Sequence, residues 1–175
     1  MMFPGFRSAN SGQKGFTLIE LMIAIAIAGL ITGGITYAII QLLTINTRDS
    51  NHMIAVRQVQ QAGKEVSKDA LQAQYVTPGL NQGFPLTFNW TEWGSNYTHG
   101  VIYSLNGTGG SGTLQRQHYG NSTLDLTTVV AEYISSASFV KTPSGRAYDF
   151  TVTATVGTQN ETRIYQVEPR PSPPD

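Results

Sequence analysis

Glu20 is the residue of this 175-residue chain with the clearest chemical consequence, because it stands at the start of an apolar run of membrane-spanning length. An acid at the centre of a transmembrane helix costs about 2.5–3.5 kcal/mol, so such a residue is expected to have a partner. A cut after Gly15 would expose a new α-amino group on Phe16, and a positive amine is a suitable partner for a buried carboxylate. This arrangement predicts processing of the chain followed by assembly with other chains.

Residues 14–21, with the sequence KGFTLIEL, resemble the class III signal of bacterial type IV pilins and type II secretion pseudopilins. In that family a prepilin peptidase cuts after the glycine and methylates the new N-terminal phenylalanine, and a glutamate at the fifth mature position guides docking into the filament. The resemblance therefore implies cleavage between Gly15 and Phe16, N-methylation of Phe16 and an assembly role for Glu20. It covers the leader and the N-terminal helix, about a third of the chain.

The elements that must position this motif are a short leader and a membrane-spanning helix. Leu21–Leu43 contains no charged residue, and as a helix this run would be about 34 Å long, which suits a bilayer core with modest tilt. The leader holds Arg7 and Lys14 and no acid, so the positive-inside rule places it in the cytoplasm and the rest of the chain outside. We therefore predict a cytoplasmic leader at residues 1–15 and a transmembrane or filament-core helix at residues 16–43.

Two other interpretations of the apolar run are weaker. An ordinary signal peptide would need a small-x-small cleavage site, and those at residues 24–26 and 26–28 lie inside the run instead of after it. A signal anchor without processing leaves Glu20 unexplained. The expected location is the cytoplasmic (inner) membrane as a single-pass protein, with the globular domain outside or periplasmic, and then a pilus or pseudopilus filament.

Three glycines, Gly29, Gly33 and Gly34, lie in the middle of the apolar helix. Glycine costs about 1 kcal/mol relative to alanine inside a helix, so this cluster weakens the helix locally. Two interpretations stay open: close approach of helices in a membrane, where small residues are favoured, or a segment that extends when the subunit leaves the membrane. Major pilins often carry a helix-bending proline in this region, and its absence favours a minor subunit.

Beyond the membrane segment the chain continues as an amphipathic helix. Apolar residues recur there at three- and four-residue spacing, with charged residues mostly between them. We predict one helix over residues 16–75, ended by residues 77–79 (TPG), whose second half at residues 44–75 packs an apolar stripe on a sheet. The stripe comprises Met53, Val56, Val59, Ala62, Val66, Ala70 and Ala73, and the charged residues between them are Arg57, Lys64, Glu65, Lys68 and Asp69.

After Pro78 the pattern changes to a period of two, which is typical of strands. Five strands are predicted, at Phe84–Trp90, Gly100–Leu105, Thr113–Tyr119, Tyr148–Val156 and Thr162–Val167. Asn106–Gly112 and Gly157–Asn160 are predicted hairpin connections, and Leu124–Ile134 is predicted to be a short helix or turn with Asp125 as its cap. The predicted fold class is α+β and pilin-like, a long N-terminal helix packed on an antiparallel sheet.

The globular domain is predicted at residues 76–167, followed by a disordered, proline-rich tail at residues 168–175. The order of long helix, three strands, crossover and terminal hairpin resembles minor pseudopilins of the J type and minor pilins of the W type. Val101–Leu105 and Thr113–Arg116 are the fragments that carry this second resemblance.

An aromatic group in the globular domain is interpreted as sheet core and loop cover, with an exposed binding patch as the alternative. The group comprises Phe84, Phe88, Trp90, Trp93 and Tyr97.

Composition and motifs argue against several functions. The 11 basic and 11 acidic residues form no basic stripe, so no nucleic-acid partner is expected. The chain has no cysteine, which excludes disulfides and thiolate metal sites. His52, His99 and His118 are scattered, and the C-terminal acids are too dispersed for the calcium site of major pseudopilins, so we expect no metal and no cofactor. No catalytic constellation is visible, which predicts that the protein is not an enzyme.

The resemblance implies a structural subunit that is cleaved and N-methylated and then assembled into a type IV pilus or a type II secretion pseudopilus. A minor subunit that initiates or caps the filament is the favoured interpretation. The expected partners are other pilins or pseudopilins through helix bundling, the prepilin peptidase, the inner-membrane assembly platform and, before assembly, membrane lipid. The alternatives are a major pilin or a filament-displayed module that binds carbohydrate or a surface.

Overall fold

The computed structural model describes residues 15–107 and 112–170. These residues form one helix and a single sheet of seven strands. The elements are α1 (Leu18–Gln72), β1 (Tyr75–Gly79), β2 (Gly83–Thr91), β3 (Thr98–Asn106), β4 (Gly112–Gly120), β5 (Thr123–Lys141), β6 (Tyr148–Val156) and β7 (Gln159–Val167). Most of the predicted leader, the centre of the predicted loop Asn106–Gly112 and residues 171–175 of the predicted tail lie outside the described residues.

The long helix confirms the prediction of one continuous helix, and the combination with an antiparallel sheet confirms the α+β, pilin-like fold class. The helix ends at Gln72, earlier than the predicted end at residue 75, because residues 75–79 form β1. No proline interrupts the 55 residues of α1, and alanine, leucine, isoleucine and glutamine supply much of the helix propensity. The described residues divide into two units, with the boundary between Ile45 and Asn46 inside α1.

In the second unit, α1 packs on the sheet through the apolar stripe. Five of the seven predicted members are fully buried, at the spacings expected for one helix face: Val59, Ala62, Val66, Ala70 and Ala73. Small side chains dominate this face, which lets the helix approach the sheet closely. Gly63 extends the same effect, because a Cβ atom at this position would overlap the ring of Tyr165 on β7.

The structure corrects the predicted stripe at two places. Met53 is 54% exposed, and the stripe begins with the buried Ala55 instead. Asp69 was predicted on the charged face but is only 1% exposed. The reason is geometric, since Asp69 lies three residues after Val66 and next to Ala70, on the edge of the face that meets the sheet.

The strands follow one another in the sheet in chain order, and each is antiparallel to its neighbours. All five predicted strands are confirmed as β2, β3, β4, β6 and β7, and four of the five extend beyond the predicted ends. The hairpin connections between β3 and β4 and between β6 and β7 are confirmed as well. The strand β1 was not predicted, because Pro78 indicated only the end of the helix. In β1 the register with β2 shifts between Thr77 and Gly79, and a proline is tolerated at such an irregularity.

The prediction of a short helix or turn at Leu124–Ile134 is wrong, because this segment belongs to the 19-residue strand β5. Its first half pairs with β4 and its second half with β6. The register shifts between Ile134 and Ser136, close to Tyr133, whose φ of 60° lies in the left-handed region. Threonine and valine at residues 127–130 are good strand formers and were the available signal for a strand.

Candidate functional site

The N-terminal motif lies at the start of α1 and is accessible in the single chain. Gly15, Phe16 and Thr17 precede the first helical residue, and all three are exposed. Phe16 is 89% exposed. The segment before the helix is therefore accessible to a peptidase active site.

Glu20 forms a capping box with Thr17. The Glu20 carboxylate accepts hydrogen bonds from the backbone N–H of Thr17 at 3.0 Å and from its hydroxyl at 3.0 Å. The backbone N–H of Glu20 donates in return to the Thr17 hydroxyl oxygen at 3.3 Å. Thr-x-x-Glu at a helix start satisfies backbone donors that have no partner within the helix. The Thr-x-x-Glu spacing is visible in the sequence, and the structure shows that Glu20 has a partner within its own chain.

The first unit presents apolar side chains around the whole helix. Leu18, Leu30 and Leu42 are each more than 60% exposed. By length and composition, α1 is the one described helix apolar enough to cross a membrane. A helix that is apolar on every side must be covered by lipid or by other helices.

The small residues of this helix line a shallow groove with threonines on its edge. Its lining includes Ala28, Gly29, Thr32, Gly33 and Thr36. The hydroxyl of Thr32 donates to the carbonyl oxygen of Ala28 at 2.8 Å, and that of Thr36 donates to the carbonyl oxygen of Thr32 at 2.9 Å. Both hydroxyls are therefore satisfied inside the helix, which removes much of their penalty in an apolar environment.

In the second unit, Asp69 joins α1 to the sheet through a buried ion pair. Its carboxylate accepts hydrogen bonds from Arg116 Nε on β4 at 2.6 Å and from Arg116 Nη2 at 3.0 Å. The hydroxyl of Tyr103 on β3 donates to the same carboxylate at 2.6 Å. Burial, reinforced by the negative charge of Asp69, raises the pKa of Tyr103 well above its usual range. The hydrogen bond to Asp69 also raises the pKa of Arg116, because it stabilises the charged guanidinium.

A second polar cluster lies on the face of β3 and β4 that carries Tyr103 and Arg116, near the start of β3 and the end of β4. His99 Nδ1 lies 3.2 Å from His118 Nε2, and His118 Nδ1 lies 3.2 Å from Asp125 Oδ2. The ring of Trp90 stacks on His99 at a centroid distance of 5.1 Å, and Tyr97 contacts His99 edge-on at 4.8 Å. Sequence reasoning separated these histidines because they are 19 residues apart, and only the pairing of β3 with β4 brings them together.

The predicted aromatic group is divided by the fold. Phe84 and Phe88 are buried in the core, Trp90 is partly buried in the cluster with His99, and Trp93 is 93% exposed. Among the described residues, no group of three or more histidine, aspartate or glutamate side chains is arranged to hold a metal ion.

A family model described as the prokaryotic N-terminal methylation motif matches residues 10–36. No curated protein and no solved structure matches the chain significantly. The chain therefore carries a type IV pilin-like class III signal. This motif implies processing by a prepilin peptidase and assembly with other pilins, and its family is structural rather than catalytic. Together with the apolar helix, it is consistent with a membrane-anchored pilin.

Proposed function

We propose, from the premise that the chain carries a pilin-like class III signal, that it is a structural subunit cut after Gly15, methylated on Phe16 and assembled into a type IV pilus or a pseudopilus. The observation that carries this proposal is the methylation motif over residues 10–36, which leads directly into a helix that is apolar on every side. Such a helix is stable in lipid before assembly and in a bundle of like helices afterwards.

Mass spectrometry of the N-terminus tests the processing step. When the chain is co-expressed with a prepilin peptidase, we expect a mature protein that begins at Phe16 with one methyl group on its α-amine. Gly15→Leu should block the cut, because a side chain at this position changes the backbone presented to the peptidase, while Gly29→Ala should be processed normally. A mature chain that starts elsewhere, or equal processing of both variants, would refute the proposal.

The proposed role of Glu20 is to neutralise the amine of a neighbouring subunit during docking. In the single chain the carboxylate is held by Thr17 at the exposed start of the helix, where it remains accessible to a second chain. Its charge and its hydrogen bonds can be separated by substitution. Glu20→Gln keeps a hydrogen-bond acceptor and removes the charge, whereas Thr17→Val removes the hydroxyl partner and keeps the charge.

Incorporation into filaments in cells tests this role. We expect Glu20→Gln and Glu20→Ala to be cleaved and inserted normally and to be strongly depleted from filaments. Thr17→Val should be incorporated nearly as well as the parent chain, because an exposed cap contributes about 1 kcal/mol to the helix. If Thr17→Val shows the same depletion as Glu20→Gln, the carboxylate acts as a helix cap and not as a docking charge.

Within this family of filaments, we assign the chain to the minor subunits that initiate or cap assembly. The support is the absence of proline from the 55 residues of α1, where many major pilins carry a helix-bending proline, together with the strand order after the helix. The stoichiometry of purified filaments tests this assignment. A few copies per filament are expected; a chain that makes up most of the filament mass would be a major pilin.

A further inference from the structure

The proposed filament role does not explain why His99 and His118 lie side by side on the sheet. In the β3–β4 ladder His99 lies opposite Gly120, and His118 lies opposite Val101, so the two imidazoles are diagonal neighbours on one face. The absence of a side chain at Gly120 makes room for the hydroxyl of Tyr97 and the carboxylate of Asp125, because a Cβ atom there would overlap the first and crowd the second. The two rings are partly buried, and their centroids lie 5.4 Å apart at an interplanar angle of 41°.

The carboxylate of Asp125 indicates which nitrogen atom of His118 is available to a ligand. Asp125 Oδ2 lies 3.2 Å from His118 Nδ1, and a carboxylate beside a ring nitrogen favours the tautomer with the proton on that nitrogen, which leaves the lone pair on Nε2. That nitrogen lies 3.2 Å from Nδ1 of His99, which donates a hydrogen bond to it when no metal is bound. A metal ion would replace this proton, and His99 would then carry its remaining proton on Nε2. A carboxylate that binds the far nitrogen of a histidine is the usual orienting partner of a metal-binding imidazole. Stacking on Trp90, at an interplanar angle of 12°, holds the ring of His99 in place.

From this geometry we propose that His99 Nδ1 and His118 Nε2 bind a divalent transition metal ion, with Zn²⁺ as the best fit. Zn–N bonds are about 2.0–2.1 Å long, so a tetrahedral ion holds two ligand nitrogens roughly 3.3 Å apart. The observed separation of 3.2 Å agrees with this value. Imidazole is a preferred ligand of Zn²⁺, Cu²⁺ and Ni²⁺, whereas Ca²⁺ and Mg²⁺ require oxygen donors.

The site has two protein ligands and open coordination positions. No third histidine or carboxylate joins the pair in a ligand geometry among the described residues. The remaining positions are therefore filled by water or by a donor from another molecule. A site with two protein ligands binds more weakly than a structural zinc site with four.

Calorimetric titration of the full chain in detergent, without a histidine tag, tests the proposal. We expect one Zn²⁺ per chain and a loss of affinity of at least tenfold for His99→Gln and for His118→Gln. Asp125→Asn should weaken binding by about tenfold through the orientation of His118. The matched control is His52→Gln, which changes the third histidine of the chain, an exposed residue on α1. No binding at millimolar Zn²⁺, or an equal loss in the His52 variant, would overturn the proposal.

A second measurement leaves both histidines intact and therefore does not depend on whether their variants fold. The chain has two tryptophans, so Trp93→Phe leaves Trp90 as the only indole, in contact with His99. Cu²⁺ bound at the site should quench the fluorescence of Trp90 in a saturable titration, and excess Zn²⁺ should shift the midpoint to higher Cu²⁺ concentration. Quenching that is not saturable or is unaffected by Zn²⁺ would refute the site; a simple hydrogen bond between the two imidazoles predicts this result.

Discussion

Replacing Asp69 by asparagine should destabilise the globular domain far more than the loss of any exposed ion pair. The carboxylate accepts three hydrogen bonds, two from Arg116 and one from Tyr103. Asparagine has nearly the same shape, but it presents an NH₂ group where an acceptor is required and leaves the charge of Arg116 without its counterion. The variant therefore tests the electrostatic part of the contact with little change in packing.

The expected loss follows from the burial of the pair. Removing one partner of a buried ion pair typically costs about 3–5 kcal/mol. Asp69 is 2% exposed in its side chain, but the Arg116 side chain is 19% exposed and can recover some hydration, which places the expected loss near the lower limit, about 3 kcal/mol. The melting temperature should fall by roughly 10 °C for a domain of this size.

Urea unfolding of a chain that begins at Asn46 measures this loss, provided that the parent chain unfolds cooperatively. The matched control is Glu161→Gln, which removes the partly exposed pair between Arg163 Nε and Glu161 Oε1 at 3.1 Å and should cost less than about 1 kcal/mol. Arg116→Met alone should also be destabilising. The loss of the double variant should be much smaller than the sum of the two single losses, because the double variant leaves no unpaired charge. Equal losses for Asp69→Asn and Glu161→Gln, or strict additivity in the double variant, would refute the reasoning.

Three further predictions concern the same domain. Val59→Asp places a charge in the fully buried stripe and should unfold the domain, whereas Arg57→Asp on the exposed face should be nearly silent; equal melting curves by circular dichroism would contradict the packing of α1 on the sheet. Gly63→Ala should lower the free energy of unfolding by about 1–3 kcal/mol through overlap with the ring of Tyr165, despite the higher helix propensity of alanine, and denaturant unfolding measures the sign. Because the pKa of Tyr103 is raised in the folded state, the protonated Tyr103 stabilises the fold fully below the pKa of an unfolded tyrosine, about 10. This stabilisation is lost as the pH rises above that value. Tyr103→Phe should therefore reduce the alkaline decline in stability measured by urea unfolding.

Local patterns in the sequence account for most of the secondary structure and for the N-terminal motif. The class III signal, the uncharged run and the stripe around Val59 each depend on residues within a few turns of one another, so their spacing alone indicates their structure. The alternating pattern identified five of the seven strands for the same reason. The prediction of a short helix or turn at Leu124–Ile134 failed because Asp125 was interpreted as a cap and the β-branched run after it was given too little weight. Pairing with β4 decides that this segment is a strand.

The sequence by itself determined the long apolar helix, the methylation motif and the fold class, because these follow from the periodicity and composition of contiguous residues. Only the tertiary structure decided that Asp69 is buried against Arg116 and that His99 meets His118, because these contacts join residues that are 47 and 19 positions apart. The physical reason is that the register of neighbouring strands and the seat of a helix on a sheet are set by the packing of the whole core. A charged residue at the edge of an apolar stripe is exposed or buried according to the partner that the fold places opposite it.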